Sequence, residues 1–430
     1  MLKISRISII IILTAVIIIY IAPQFKKLFV ERAFSPMIRY SSVLEDFIIA
    51  DFNDGAENRY YDTKNNSYSR VEYQKMLPMT YYRDLLVWKA LPETINGKKI
   101  IPQEIEKNLQ YSMIRSSFFN SPSIDLYPLY ESASIFSKIE EPQSMFRIGS
   151  SGMEFINSEN NKIEKEISQE FTKALKEKGF VFPSSGCYGN VDPRKPFDEG
   201  YFIVDSEQKI FHLKMVKGKP FVRDTKIRPD TKVRYIMFEE NPRKEYYGIM
   251  ITNNNDFYLV TYDNYKTVKL PFKVENIDDI YFLMVCDMLK RTIIIETGSK
   301  IRCIATDLDY KVIDTYEMEP KRIDAKASLY SDIVFPLKIK TSASGSGYVF
   351  FDFDFSYKGI YLAFASIVIF ALFLRLRNYR FYDHIADFII LGITGFSGLA
   401  AVFAVGAYKN GNGIAKETAG KEKKINFQAV

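Results

Sequence analysis

The chain has 430 residues and a formal net charge of +6. That charge is small for the length and argues against nucleic acid as the main partner. The length allows one large domain or two ordinary ones, and an aromatic content of 15% suits a β-rich body.

The chain begins with a nearly pure aliphatic run. Residues 7–25 would span about 28 Å as a helix, close to the apolar thickness of a bilayer, and they are predicted to be an uncleaved transmembrane anchor. A cleaved signal peptide is the alternative, but Pro23 follows the run directly and no Ala-x-Ala cleavage site precedes it. Lys3 and Arg6 lie in front of the run and favour a cytoplasmic N-terminus.

The next stretch, residues 26–150, is mixed in character and is predicted to be the α/β first part of the main domain. Helices are expected at 81–91 and at 102–115. The clearest soluble helix is expected at 160–179, where apolar residues recur every three to four positions opposite a Lys- and Glu-rich face. Gly179 would end that helix.

A strand–turn–strand pattern recurs in residues 151–356. The first strands of the three clear copies end at Asp205, Thr252 and Glu296. The interval of roughly 45 residues is typical of a propeller blade. Weaker copies end their first strand at Asp62 and Asn157. The pattern predicts a β-rich (α+β) extracytoplasmic domain with propeller-like repeated hairpins, and a β-sandwich or an irregular β-rich domain is the alternative.

The densest polar motif, residues 192–200, precedes the first clear hairpin. Its prolines and glycine predict a rigid loop that presents Arg194, Lys195, Asp198 and Glu199. These four residues are candidates for binding a partner or a ligand. The alternative is a structural loop whose charges pair with each other or with water.

Two further apolar runs follow the main domain and are predicted to be transmembrane helices 2 and 3, at 359–376 and 386–408. The short loop between them carries three arginines and is therefore predicted to be cytoplasmic: Arg375, Arg377 and Arg380. Three spans would place the main domain and the C-terminus outside. The polar, basic tail at 409–430 argues mildly against an external C-terminus.

The third run is rich in small residues. Two small-xxx-small pairs, Thr394 with Gly398 and Ser397 with Ala401, would let another helix approach closely. That helix belongs either to this chain or to a separate membrane subunit. Asp383 and Asp387, at the start of the run, are expected to reach the membrane interface rather than to conduct ions.

Residues suited to catalysis are scarce. His212 is the only histidine of the main domain, and because it stands within a repeated strand it is expected to be a core residue. The three cysteines have no metal-ligand spacing; a bridge between Cys286 and Cys303 is one alternative and small buried hydrophobes the other. We therefore expect no enzyme activity, no cofactor and no metal.

Four segments carry a resemblance to a known group of proteins. They are YRDL at 82–85, GMEFIN at 152–157, FTKALKEKGFVFP at 171–183 and RKPFDEGYFIVD at 194–205. In these segments the chain resembles an uncharacterised family of Bacteroidetes membrane-anchored proteins, a domain of unknown function. Genes of that family lie beside genes of ABC transporter ATPases. The resemblance therefore implies a transporter accessory or a permease-like subunit, and it supplies no catalytic residues.

Two hypotheses for function follow. The first is a non-catalytic inner-membrane protein with a large periplasmic domain that partners an ABC transporter ATPase or permease subunit. The second is a membrane-tethered periplasmic sensor or scaffold that binds an envelope ligand or protein. The second hypothesis needs a cytoplasmic output element, and three spans leave only the short N-terminus and the arginine loop for it.

Overall fold

The chain divides into two compact units in the computed structural model. The structure describes residues 2–27, 35–52, 57–120, 124–297, 300–320, 325–343 and 349–407. One unit, here the β-rich unit, comprises 35–52 and 57–320. The other, here the terminal unit, is built mainly from the two ends of the chain, 1–34 and 321–430.

The regular elements alternate short strands and short helices. The first are α1 (Leu2–Val16), a π-helical segment (Ile17–Ile21), α2 (Ala22–Lys27), β1 (Met37–Ser41), β2 (Asp46–Asp51), β3 (Arg59–Asp62), β4 (Ser67–Tyr68), α3 (Arg70–Met76), α4 (Pro78–Val87), β5 (Thr94–Ile95), β6 (Lys98–Lys99), α5 (Pro102–Asn108), β7 (Gln110–Arg115), α6 (Ser117–Asn120) and β8 (Tyr127–Pro128). The rest of the β-rich unit holds β9 (Ser144–Ile148), β10 (Met153–Asn157), α7 (Lys165–Glu177), β11 (Gly186–Gly189), β12 (Tyr201–Val204), β13 (Ile210–Val216), β14 (Lys219–Asp224), β15 (Val233–Phe238), β16 (Tyr246–Thr252), β17 (Phe257–Thr261), β18 (Thr267–Lys269), a 3₁₀ turn (Ile277–Asp279), β19 (Tyr281–Cys286), β20 (Arg291–Glu296), β21 (Ile301–Thr306) and β22 (Val312–Met318). The terminal unit continues with α8 (Ala325–Val334), β23 (Leu337–Ala343), β24 (Val349–Phe355), a 3₁₀ turn (Tyr357–Gly359), α9 (Ile360–Leu376), a 3₁₀ turn (Phe381–His384), α10 (Ile385–Thr394) and α11 (Phe396–Val405).

The β-rich unit is a succession of small antiparallel sheets. Strand order follows the chain in β1–β4, β11–β14 and β15–β18, and a five-stranded sheet adds β7 beside β19 in β19–β22. Side chains on these sheets form several buried clusters, the largest around Phe257 and Phe282. The prediction of a β-rich domain is confirmed. Among the described residues the sheets do not make a closed barrel or a propeller.

The three repeated hairpins predicted from the sequence are confirmed. Strand β12 pairs with β13, β16 with β17 and β20 with β21. The turn of the first of these hairpins shows how a local pattern can fix one. In the turn after β12, the Asp205 carboxylate accepts the N–H groups of the residues two and four positions on, and Gln208 takes a positive φ of 64°.

The same turn recurs at two other aspartates. Asp62 and Asp307 each accept the N–H groups two and four residues on, and the residue three positions on has positive φ. The weak copy at Asp62 is therefore a true hairpin, β3 with β4. The copy at Asn157 is confirmed in part. The chain turns back after it and Ile163 bridges Ile156 antiparallel, but no second strand forms before α7.

The helix predictions are confirmed in part. The predicted helix at 160–179 is α7, whose Phe171 and Leu175 are fully buried, and Gly179 follows it with φ of 85°. The predicted helix at 102–115 was wrong in its second half. That half is strand β7, where Ile114 pairs with Phe282 of β19, because sheet pairing overrides weak local helix propensity.

The terminal unit corrects the count of three apolar spans. Two stretches are long and apolar enough to cross a membrane, Ile4–Ile21 and Tyr357–Leu376. The predicted third span breaks at Gly395, whose φ of 56° and ψ of −127° end α10 and start α11. Each of these helices has ten residues, or about 15 Å, which is half of an apolar bilayer core.

Candidate functional site

The polar loop at 192–200 closes over a buried ionic cluster in the β-rich unit. The side chain of Lys195 is 1% exposed. Its ammonium donates to Asp198 Oδ1 at 2.6 Å, to Glu240 Oε1 at 3.0 Å and to the carbonyl of Asn190 at 2.7 Å. All three N–H bonds are used, and the ring of Tyr130 lies 4.8 Å from the same nitrogen.

The carboxylates of the cluster are also satisfied by neutral donors. Asp198 Oδ2 accepts from the hydroxyl of Ser132 at 2.5 Å and from the N–H of Gly200 at 3.0 Å. Glu240 Oε2 accepts from the amide of Asn190 at 2.8 Å. Burial raises the pKa of Glu240, and the neighbouring ammonium opposes that shift.

Glu199 extends the network toward the surface. Its carboxylate accepts from the Lys214 ammonium at 2.7 Å, and its carbonyl lies 2.5 Å from Nε2 of His212. A carbonyl only accepts, so Nε2 donates, and Nδ1 of the neutral ring accepts from the hydroxyl of Tyr265 at 2.9 Å. Burial lowers the pKa of His212 to about 3. The prediction that His212 is a core residue is confirmed.

Arg194 is the one exposed member of the predicted set. Its guanidinium is 87% exposed and pairs with Asp192 at 2.8 Å within the same loop. The structure therefore brings Lys195, Asp198 and Glu199 together and leaves Arg194 apart from them. A partner or ligand role for the four residues stays a prediction, but Lys195 and Asp198 already bond to each other away from solvent.

Glu240 and Ser132 complete this cluster and were missed from the sequence. Glu240 belongs to Glu239-Glu240 after β15, which resembles any solvated acidic pair. Only the stacking of the β11–β14 and β15–β18 sheets brings it to Lys195. In the described part of the chain no group of three His, Cys, Asp or Glu side chains could hold a metal ion, and all three cysteines are unpaired.

A second ionic cluster lies in the terminal unit. The guanidinium of Arg6 in α1 donates two parallel bonds to Asp387 at the start of α10, at 2.9 and 3.0 Å. Its Nε donates to the carbonyl of Gly406, just after α11, at 2.8 Å. Nδ1 of His384 lies 2.7 Å from the other side of the carboxylate. We call Arg6, Asp387 and His384 the clamp.

The clamp shows how Asp387 is held. Its side chain is 1% exposed and fixed by the guanidinium of Arg6. The expectation that it reaches a membrane interface stays a prediction. The sequence offered one signal, an aspartate and a histidine three residues apart at the start of an apolar run. Their arginine partner lies 381 residues away and could not be identified from spacing.

The predicted helix-packing residues are buried within the terminal unit. Thr394 and Gly398 meet across the break, since a Cβ on Gly398 would lie 2.3 Å from the Thr394 hydroxyl oxygen. They therefore do not form one helix face. Ser397 and Ala401 are fully buried on α11. The three arginines of the predicted cytoplasmic loop, Arg375, Arg377 and Arg380, are exposed.

Comparison with known proteins yields one family match. The profile of a family described as "Domain of unknown function (DUF4857)" matches residues 37–306, more than half of the chain. No curated protein matches. A solved structure from an analysis of two prolyl endopeptidases is 8% identical, with 77% of this chain and 55% of that chain covered and a TM-score of 0.20. The chain thus spans about half the length of that protein, and so low a TM-score carries no argument.

Proposed function

This chain belongs to the DUF4857 family, and we propose that it is a non-catalytic protein of a bacterial inner membrane. Its β-rich unit lies in the periplasm, and the protein serves as an accessory or permease-like component of an ABC transport system. The observation that carries the membrane part is the pair of long apolar helical stretches that precede and follow the β-rich unit in sequence.

The surface of those helices supports a lipid environment. Tyr357–Leu376 extends about 30 Å, the apolar thickness of a bilayer. Many of its apolar side chains are exposed, among them Phe364 and Leu372. Exposed tyrosines lie near both ends of α9, Tyr361 at its start and Tyr382 after its end, as in the aromatic belts of membrane proteins.

The orientation follows from charge. Arg375 lies in the last turn of α9, and Arg377 and Arg380 follow that helix within a few residues; arginines so close to the end of a span favour the cytoplasmic side. One crossing by α9 then places the β-rich unit in the periplasm. Lys3, in front of the first apolar stretch, and Arg6, in its first turn, favour the same orientation.

The transport part of the proposal rests on the resemblance to proteins encoded beside ABC transporter ATPases. Two spans are few for a permease that acts alone, and the exposed apolar side chains leave room for further helices. A heteromeric assembly is therefore implied.

Co-purification of the full chain from native membranes tests this function. We expect an ATPase of the ABC class or its permease to be recovered with the wild-type protein in mild detergent. A comparison variant carries Arg375→Glu, Arg377→Glu and Arg380→Glu, which reverse the charge of these exposed positions. We expect less ATPase to be recovered with this variant than with the wild-type protein. Recovery of the wild-type chain without any transporter subunit would refute the transport role.

The second candidate, a tethered sensor or scaffold, depends on where the C-terminal tail lies. A tail in the cytoplasm would supply the output element that three spans leave out. Loss of an envelope response on truncation at 408, with transport intact, would favour the sensor.

A further inference from the structure

We propose that α10 and α11 form a re-entrant hairpin, so that the C-terminal tail lies on the opposite side of the membrane from the β-rich unit. The hairpin enters the membrane at the face where α9 ends and leaves it at the same face. This inference rests on the membrane location proposed above. The hairpin takes the place of the predicted third span. Whichever way the protein is oriented, the hairpin implies that the membrane lies between the tail and the β-rich unit.

The clamp fixes the two ends of the hairpin beside each other. One guanidinium, that of Arg6, bonds both the first turn of α10 and the residue after α11. A guanidinium is only a few ångströms across. Asp387 and Gly406, which both bond to it, must therefore lie close to each other. A straight helix of the same 19 steps would separate these residues by about 28 Å.

The packing of α10 along α9 shows how deep the hairpin reaches. The ring of Phe388 lies 5.3 Å from that of Phe370, toward the end of α9. At the tip, a Cβ on Gly395 would lie 3.6 Å from Cα of Ala363, in the first turn of α9. The hairpin thus runs antiparallel to α9 and turns about 20 Å from its C-terminal end.

The break is enclosed by protein, as a break at membrane depth must be. Thr394, Gly395, Ser397 and Gly398 are all buried. The N–H of Gly395 donates to the carbonyl of Leu391 at 2.8 Å, and the Gly395 carbonyl accepts from the N–H of Leu399 at 3.1 Å. Irregular backbone is tolerated in a membrane where neighbouring protein surrounds and satisfies it.

The charge of the tail agrees with this arrangement. Five lysines and two glutamates follow the hairpin, beginning with Lys409. Three spans would place those lysines outside, against the positive-inside tendency. The hairpin places them with the arginines of the loop after α9. The tail itself lies outside the described residues.

Thiol labelling of the full chain in native membranes tests the hairpin. Lys173→Cys marks the β-rich unit, since this α7 side chain is 78% exposed, and Lys423→Cys marks the tail. A membrane-impermeant maleimide is applied to intact spheroplasts and to inverted vesicles. The wild-type chain gives the background, because Cys286 and Cys303 are buried and burial raises the pKa of the Cys187 thiol.

We expect the two positions to be labelled from opposite sides, with at least tenfold preference for one side at each position. Labelling of both from one side would overturn the hairpin. Labelling of position 173 only in inverted vesicles would refute the periplasmic location instead, while the hairpin would still be judged by whether position 423 reacts on the other side. C-terminal fusions to a fluorescent protein and to alkaline phosphatase give a second measurement. Fluorescence without phosphatase activity is expected, and the reverse would overturn the hairpin for a periplasmic β-rich unit.

Discussion

The Lys195 cluster of the β-rich unit and the clamp of the terminal unit are both buried ionic clusters, and the two are built differently. Around Lys195 the cation and one carboxylate are three residues apart in a single loop, and backbone groups of that loop complete their bonds. The clamp joins the two ends of the chain, with 381 residues between Arg6 and Asp387. The first cluster fixes a loop, whereas the second fixes how helices are arranged. The following predictions test this difference.

The largest effect is expected from Lys195→Met. The change leaves two buried carboxylates, Asp198 and Glu240, without their cation, and breaking a buried pair in this way costs about 3 to 5 kcal/mol. The measurement is denaturant unfolding of the full chain in detergent, followed by the fluorescence of Trp88, the only tryptophan, which lies in the β-rich unit.

Arg194→Met is the matched control for that loop. Its exposed guanidinium pairs with Asp192 of the same loop, so we expect a change within about 0.5 kcal/mol. A Lys195→Met variant as stable as this control would show that the Lys195 cluster is hydrated rather than buried.

A somewhat smaller loss is expected when the clamp is broken. Arg6→Ala removes two charge-assisted bonds to Asp387 and one to Gly406, at a cost of about 2 to 3 kcal/mol. Arg6→Lys should recover part of the loss, since an ammonium keeps the charge but not the planar fork. The midpoint temperature of heat denaturation in detergent, followed by size-exclusion chromatography, measures the stability of both variants.

The control for the clamp is Arg375→Ala, at an exposed position in the last turn of α9. We expect it to leave the midpoint unchanged. If Arg6→Ala behaved in the same way, Arg6 would not hold the hairpin ends together.

The two clusters also show how far the sequence could go. Local signals were sufficient for the hairpins, because the turns after Asp62, Asp205 and Asp307 depend on an aspartate and a positive-φ position three residues after it. Local signals likewise placed Lys195 and Asp198 in one loop. They could not place Glu240, which reaches that loop only through the packing of neighbouring sheets.

For the third apolar run, the local pattern led to a wrong prediction. Its composition over 386–408 is that of a membrane span, and hydropathy does not distinguish one long helix from two short ones. The deciding features are the backbone angles at Gly395 and the distant partner of Asp387. Neither is visible as a local pattern, because glycine also occurs within continuous transmembrane helices.

The burial of His212, which bonds to Glu199 beside the Lys195 cluster, predicts a pH effect. Its folded-state pKa of about 3 lies below the ordinary value of 6.5, so the unfolded chain takes up the proton first as pH falls. Stability from the neutral ring is therefore full above 6.5 and is lost progressively toward 3. Between pH 7 and pH 5 the loss should be about 2 kcal/mol.

His212→Asn should lack this dependence. It will be less stable than the wild type at pH 7, and the gap should narrow by about 2 kcal/mol at pH 5 in unfolding experiments followed by Trp88. A gap that stayed constant with pH would mean that the folded ring takes up its proton over the same pH range as the unfolded one. Arg6→Ala, which breaks the clamp, serves as a comparison. It should not alter the dependence of stability on pH that is attributed to His212.

The smallest effect is expected at the tip of the hairpin, and it tests the break most directly. Gly395→Ala forces a side chain into a φ of 56° with ψ of −127°, a region nearly confined to glycine, and brings its Cβ within 3.1 Å of Pro336. We expect a loss of stability of about 1 to 2 kcal/mol in the heat-denaturation measurement. Gly392→Ala is the matched control, since its Cβ meets only Ile367 at 3.9 Å and alanine favours a helix by up to about 1 kcal/mol. A continuous third span would reverse the expectation at 395, because alanine would then stabilise both positions equally.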